Sequence, residues 1–271
     1  ARLCAGAANN LHAGQFRRET AHFPRKIIRM NRGIVASLLL AAGACVALVG
    51  DGLSQPNPFS RLTGREQPVE ASAVWYERAD RRGRLVVDRS GSPALIWQEG
   101  TQEIYAVYVN RASGGGEVLL TDTDRALLRL SNLGGATYFP ADAPDGVIVE
   151  QIGPAHTLVA PPASAQDLQR IARDLADGIG RLNRNQVTVE VPSMGPVDNA
   201  YLADTMVLAQ IGIERANRRN IRDLRVVRID TGGRADARYA GGTLHITIEP
   251  GAGYGGRPSS DYIRRAIDSA R

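Results

Sequence analysis

Ala94–Val109, ALIWQEGTQEIYAVYV, divides into two short apolar runs, Ala94–Gln98 and Glu103–Val109, either side of Glu99-Gly100. Runs of this length, rich in β-branched and aromatic residues and broken by glycine, read as strands of a hairpin. The same pattern repeats outward in both directions. Upstream lie Val74-Trp75-Tyr76 and Arg84–Asp88, joined by the Asp80–Gly83 turn. Downstream come Val118–Thr121, Ala126–Leu130 and Ala136–Phe139, each after its own turn: Gly114–Gly116, Asp122–Asp124 and Gly134-Gly135. Val147–Gln151 and Thr157–Val159 close the series. Short strands at roughly ten-residue spacing predict an antiparallel sandwich or small barrel over 73–160. In Glu103–Val109 the tyrosines and valines do not alternate cleanly, so the facing of that strand is left open.

After Pro161-Pro162 the period changes. Ser164 followed by Asp167 resembles a capping box, and Leu168, Ile171, Leu175, Ile179 and Leu182 recur at helical spacing. Val187–Val191 reads as a strand, and Asp198 as the cap of a second helix whose centre, Leu202–Ile213, is apolar nearly all round and hence buried. Leu224–Asp230 and Ala237–Glu249 read as a closing hairpin turned by Gly232-Gly233 and Gly241-Gly242, and Pro258-Ser259-Ser260 opens a last helix. The expected class is α+β: an antiparallel β-rich sandwich or small barrel, then an α+β part with about three helices.

Upstream of the strands, Ile34–Gly50 (IVASLLLAAGACVALVG) carries no charge and follows Met30-Asn31-Arg32. That is the layout of an export signal or a short membrane anchor. The domain expectation is 1–29 as a non-native upstream extension, 30–50 as signal peptide or anchor, and 51–72, with Pro56, Pro58 and Pro68, as a linker. A β-rich module over 73–160 and an α+β module over 161–271 follow. Cys45 after Ala42-Gly43-Ala44 admits lipidation, whereas Cys45-Val46-Ala47 fits a small-x-small cleavage site. Each of these readings places the body in the periplasm, free or held at the inner membrane through 34–50.

Composition narrows the function. The net charge is +5, but residues 1–32 hold seven basic residues against Glu19 alone, which leaves 51–271 at −1. A body without a net positive field has little to attract nucleic acid. Lys26 is the sole lysine, so the body has no P-loop lysine and no Schiff base. Both cysteines, Cys4 and Cys45, precede the body, which removes thiolate metal sites and disulfides from it.

The candidate motifs are weak. Gly251–Gly256 satisfies G-x-G-x-x-G, yet no βαβ unit or ribose-binding acid follows, and a tight strand-to-helix connection is the simpler reading. Ser193 sits in half of a nucleophile elbow, directly after a proline. Asp122-Thr123-Asp124 could hold a hard cation but reads as a turn. With His156 and His245 the only body histidines, no zinc set is expected, and no cofactor. The arginines at 215, 218, 219, 222, 225 and 228 are interleaved with Glu214 and Asp223 and read as a solvated face. Asp204, Asp230 and Glu249, with His245, remain as candidate acid–base groups, since catalytic side chains need meet only in the fold.

Arg84–Ser90 (RLVVDRS), Leu130–Phe139 and Asp236–Tyr239 come in that order. Leu244–Ile248 and above all Gly253–Ser260 (GYGGRPSS) follow them, and together they resemble a family of exported Gram-negative bacterial proteins, domain of unknown function 4908. The resemblance spans roughly 73–268. It implies export and the two-part architecture, and it brings no activity, cofactor or catalytic residue. The expectation is a non-enzymatic envelope module that binds an envelope component or plays a structural part. The alternative is a periplasmic hydrolase using carboxylates with His245.

Overall fold

The computed structural model describes residues 72–270. The proposed extension, signal, lipidation site and nearly all of the linker lie outside them. Eight strands come first: β1 (Ala73–Arg78), β2 (Arg84–Asp88), β3 (Ala94–Gln98), β4 (Ile104–Arg111), β5 (Glu117–Leu120), β6 (Ala126–Leu130), β7 (Ala136–Tyr138) and β8 (Val147–Pro154). Each pairs antiparallel with the next, and β8 returns to β1. The sheet is therefore a closed barrel and not a sandwich. Closure removes the edges that an open sheet would expose.

One wall of each strand fills the lumen. Leu85, Val87, Ile96, Val107, Leu119, Leu127, Leu128 and Tyr138 form one packed cluster there. Arg78 is 1% exposed and held by Asp80 at 2.7 Å and Asp142 at 2.9 Å. These paired carboxylates make the burial of its guanidinium tolerable, and its charge holds both below the usual carboxylate range. Gly114–Gly116 form the β4–β5 hairpin, all three at positive φ. Thr157–Val159, expected as a ninth strand, lies outside the sheet. It runs across the barrel wall, where the Leu158 N–H donates to buried Asp88 at 2.7 Å.

The α+β half comprises α1 (Ala165–Asn183), β9 (Thr188–Glu190), α2 (Pro196–Arg215) and a 3-10 turn at Asn220–Asp223. Then come β10 (Val226–Thr231), β11 (Asp236–Ala240), β12 (Thr243–Ile248), a second 3-10 turn (Pro250–Gly256) and α3 (Ser260–Ser269). Ser164 and Asp167 make the reciprocal capping box of α1. The cap of α2 is Gly195 with Pro196 in the first turn, and Asp198 sits inside that turn.

The four-stranded sheet has the order β11-β12-β10-β9. β10 runs parallel to β12, so the expected hairpin from 224 to 249 is confined to β11–β12. β12 inserts between β10 and β11, and Gly232-Gly233 begins a crossover instead of a hairpin turn. Leu244, Ile246 and Ile248 pack with Leu175, Leu202, Met206, Ile213 and Ile263 in one core on the helix side. α2 is apolar nearly all round because it is covered on several sides, by the sheet, α1, α3 and the second 3-10 turn.

Both halves lie in a single compact unit, Pro58–Arg271. A smaller apolar cluster joins them: Leu95, Ile104 and Ala106 on the outer barrel wall meet Ala160, Ala200, Tyr201 and Tyr254. The facing of β4 follows from this. Tyr105 and Val107 point into the barrel and Ile104 and Ala106 into the seam. Over 104–107 the strand is covered on both faces, so apolar and polar residues need not alternate there.

Candidate functional site

The stretch Gly256-Arg257-Pro258-Ser259-Ser260 enters α3 against the barrel wall. Ser259 is the N-cap of α3, with its hydroxyl accepting from Tyr262 N at 3.1 Å. Asp122, in the β5–β6 turn, accepts from Ser259 N at 2.7 Å and from Ser259 Oγ at 2.6 Å. Glu103, just before β4, accepts from Ser260 N at 3.0 Å and from Ser260 Oγ at 2.6 Å. Each carboxylate thus takes the N–H and the hydroxyl of one serine. The two negative groups also meet the positive end of the α3 dipole, whose first N–H groups have no helical partner.

Arg257 completes the seam. Its guanidinium is 2% exposed, pairs with Asp204 through Nε, and donates from Nη2 to Ile104 O at 2.7 Å. It lies 5.0 Å over the ring of Tyr254, which is edge-on to Tyr201 at 5.4 Å. Burial pushes the Asp204 carboxyl up to about 6; Arg257 opposes the shift and Glu103 adds to it. Burial also raises the phenols of Tyr105 and Tyr254. Arg125 reaches Asp261 at 3.3 Å, and Arg265 donates to Thr123 O at 3.0 Å.

Two glycines make the close approaches possible. A Cβ at Gly256 would sit 1.9 Å from Glu249 O, and one at Gly212 would sit 2.8 Å from Ser260 O. The first is where the chain folds back on itself, the second where α2 and α3 touch. Beside the seam opens a cleft of about 440 Å³. Tyr108, Asn110, Asp122 and Asp124 line its barrel side, and Arg234, Glu249, Arg257 and Tyr262 line the other.

The sequence candidates scatter over this frame. Asp204 lies in the seam on α2. Glu249 lines the cleft just after β12. His245 and Asp230 lie on the sheet face away from the helices: His245 is between Arg228 and Arg238 in register, and Asp230 pairs with Thr247 in the next row. The sheet itself separates His245 from Asp204. Arg228, from the expected solvated arginine face, pairs with Glu190 at 2.6 Å, both side chains well exposed. Gly251–Gly256 is the tight strand-to-helix connection expected, with Gly253 at φ 56°. Asp122 and Asp124 do form a turn, but Asp122 also holds Ser259.

The sequence reading missed Glu103, Arg257, Ser259 and Ser260 as a functional group. Their signal was present only as an arginine, a proline and two serines at a helix start. The carboxylates that answer the serines lie 137 and 157 residues earlier in the chain.

A family model described as domain of unknown function (DUF4908) matches residues 58–267. The chain belongs to the DUF4908 family. The match covers the barrel, the sheet, the cleft and every residue of the seam. Neither curated proteins nor solved structures give a match to the chain. No helix among the described residues of this DUF4908 chain is long and apolar enough to cross a membrane. Among the same residues, no group of three or more His, Cys, Asp or Glu side chains is placed to hold a metal ion.

Proposed function

We propose that this DUF4908 protein is an exported envelope protein of Gram-negative bacteria whose body acts in the periplasm as a non-enzymatic binding or structural module. The observation that carries the non-enzymatic part is the double serine–carboxylate clamp. Asp122 and Glu103 each accept an N–H and a hydroxyl from the other half and so join the two halves together, while Asp204 is taken up by Arg257 within the α+β half. A group held this way is poorly free to exchange protons with a substrate. The hydrolase reading draws on the raised Asp204 carboxyl, but it needs His245, which stands across the sheet. Export rests on Ile34–Gly50 after Met30-Asn31-Arg32, and on a near-neutral, cysteine-free body.

Intact mass and cell fraction of the natively expressed, C-terminally tagged protein test this reading. The expected product is a periplasmic species beginning between Cys45 and Gln55. A diacylglycerol-sized increment at Cys45 would make it a lipoprotein of the same compartment. A cytosolic species keeping residues 1–50 overturns the export reading. Turnover of an ester, glycoside or peptide that vanishes in H245A would replace the binding module with the hydrolase.

A further inference from the structure

Three charged side chains of the cleft make no hydrogen bond or ion pair with any described residue. Asp124 projects from the β5–β6 turn, where its φ of 58° and the Thr121–Thr123 hydroxyl bond hold the backbone in a tight loop. Arg234 stands opposite, in the β10–β11 crossover, and half-buried Glu249 sits at the end of β12. Opposite charges lining one cleft usually close onto each other when their backbones allow it. Here each is carried by a separate tight connection, and none reaches the other. The Asn110 amide and the Tyr108 hydroxyl also have no partner, whereas the Tyr262 hydroxyl is held by Asp236 at 3.0 Å.

We propose that this cleft binds a compact zwitterion of short-peptide chemistry, with Arg234 taking its carboxylate and Asp124 and Glu249 its ammonium group. The proposal deepens the binding reading above and rests on it. A lone anion would meet two unpaired acids, and a lone cation would meet Arg234. A ligand with both charges satisfies the three groups together. Asn110 supplies the donor and acceptor that a peptide amide needs, and the rings of Tyr108 and Tyr262 offer apolar flanks for short side chains. The volume falls within the range of roughly 300–1,000 Å³ usual for small-ligand clefts. Since the charged groups are largely solvated, the contacts are individually weak and the affinity modest.

The test is calorimetric titration of the full-length protein with trialanine at low ionic strength. Comparison ligands are N-acetyl-trialanine amide, which has neither terminal charge, and the variants R234Q and D124N. Saturable binding of trialanine with Kd in the range of ~0.1–5 mM is expected, weakened about five- to tenfold in each variant. The capped peptide should give no saturable heat. R234Q and D124N should keep the parent's urea midpoint, because neither side chain has a partner in the fold. No saturable heat with trialanine up to about 10 mM overturns the proposal. So does equal binding of the capped peptide, or binding that survives both substitutions. Those outcomes leave the export reading intact, which falls only to cytosolic retention of residues 1–50.

Discussion

The barrel lumen and the seam beside it are both buried, and they are held by different physics. The lumen is a jigsaw of Leu, Ile, Val and Tyr, beside a buried Arg78 whose guanidinium is held by Asp80 and Asp142. Its energy comes from removing apolar surface from water, a force with no preferred direction. The seam has a thin apolar patch and is otherwise polar: two clamped serines, a buried arginine, and four tyrosines at its margins. Its bonds are directional and worth little if displaced, and each buried group left unpaired costs the full desolvation of that group. The lumen therefore tolerates a change of shape better than the seam tolerates a change of partner.

The sharpest way to break the contrast is R257A. It removes one member of a buried ion pair and leaves Asp204 without its counter-charge. A loss of about 3–5 kcal/mol in urea unfolding is expected, more than its exposed neighbours could give. Next comes L128A in the lumen, where a cavity should cost about 3 kcal/mol in the same assay. If L128A proved much worse than R257A, the seam would be the lesser constraint and the comparison would fail. S260A removes a fully buried hydroxyl and with it one of the donors to Glu103. It should cost about 1–3 kcal/mol, with S259A somewhat less because Asp122 is nearer solvent.

The smallest expected effect concerns pH. Asp204 is held above its ordinary value of 3.8, at about 6. A raised carboxyl contributes stability that is fully present below about pH 4 and is lost as pH rises through about 6. D204N lacks this titration. Measured against the parent by urea unfolding, the variant should therefore gain about 1 kcal/mol between pH 5 and pH 7.5. A difference that stays flat across that window would mean that Arg257 keeps the carboxyl ionised throughout.

Much of the architecture was legible locally. Turn residues between short apolar runs marked all eight barrel strands, because glycine at positive φ and Asp-rich turns act on their immediate neighbours. Ser164 with Asp167 announced α1 for the same reason. The sequence could not decide between sandwich and barrel, since the difference is whether β8 pairs with β1, 71 to 80 residues away. It also misread Leu224–Glu249 as one hairpin, because a glycine pair looks alike whether it turns a hairpin or starts a crossover. Asp198 looked like a cap through its residue type, and the helix began three residues earlier, where Pro196 needs no N–H partner.

The site was the least legible part. Glu103 and Asp122 are ordinary residues at a strand start and in a turn until the fold brings Ser260 and Ser259 to them. Local chemistry, meaning periodicity, turns and caps, lies within a few residues and can be read along the chain. Closure of the barrel, insertion of β12, pairing of Arg257 with Asp204 and the opening of the cleft join residues far apart in sequence. Such contacts depend on which buried groups find partners once the chain has folded. The sequence by itself determined the strands, the helices and the neutral, cysteine-free body; the tertiary structure alone decided which of its charges are clamped and which are left facing the cleft.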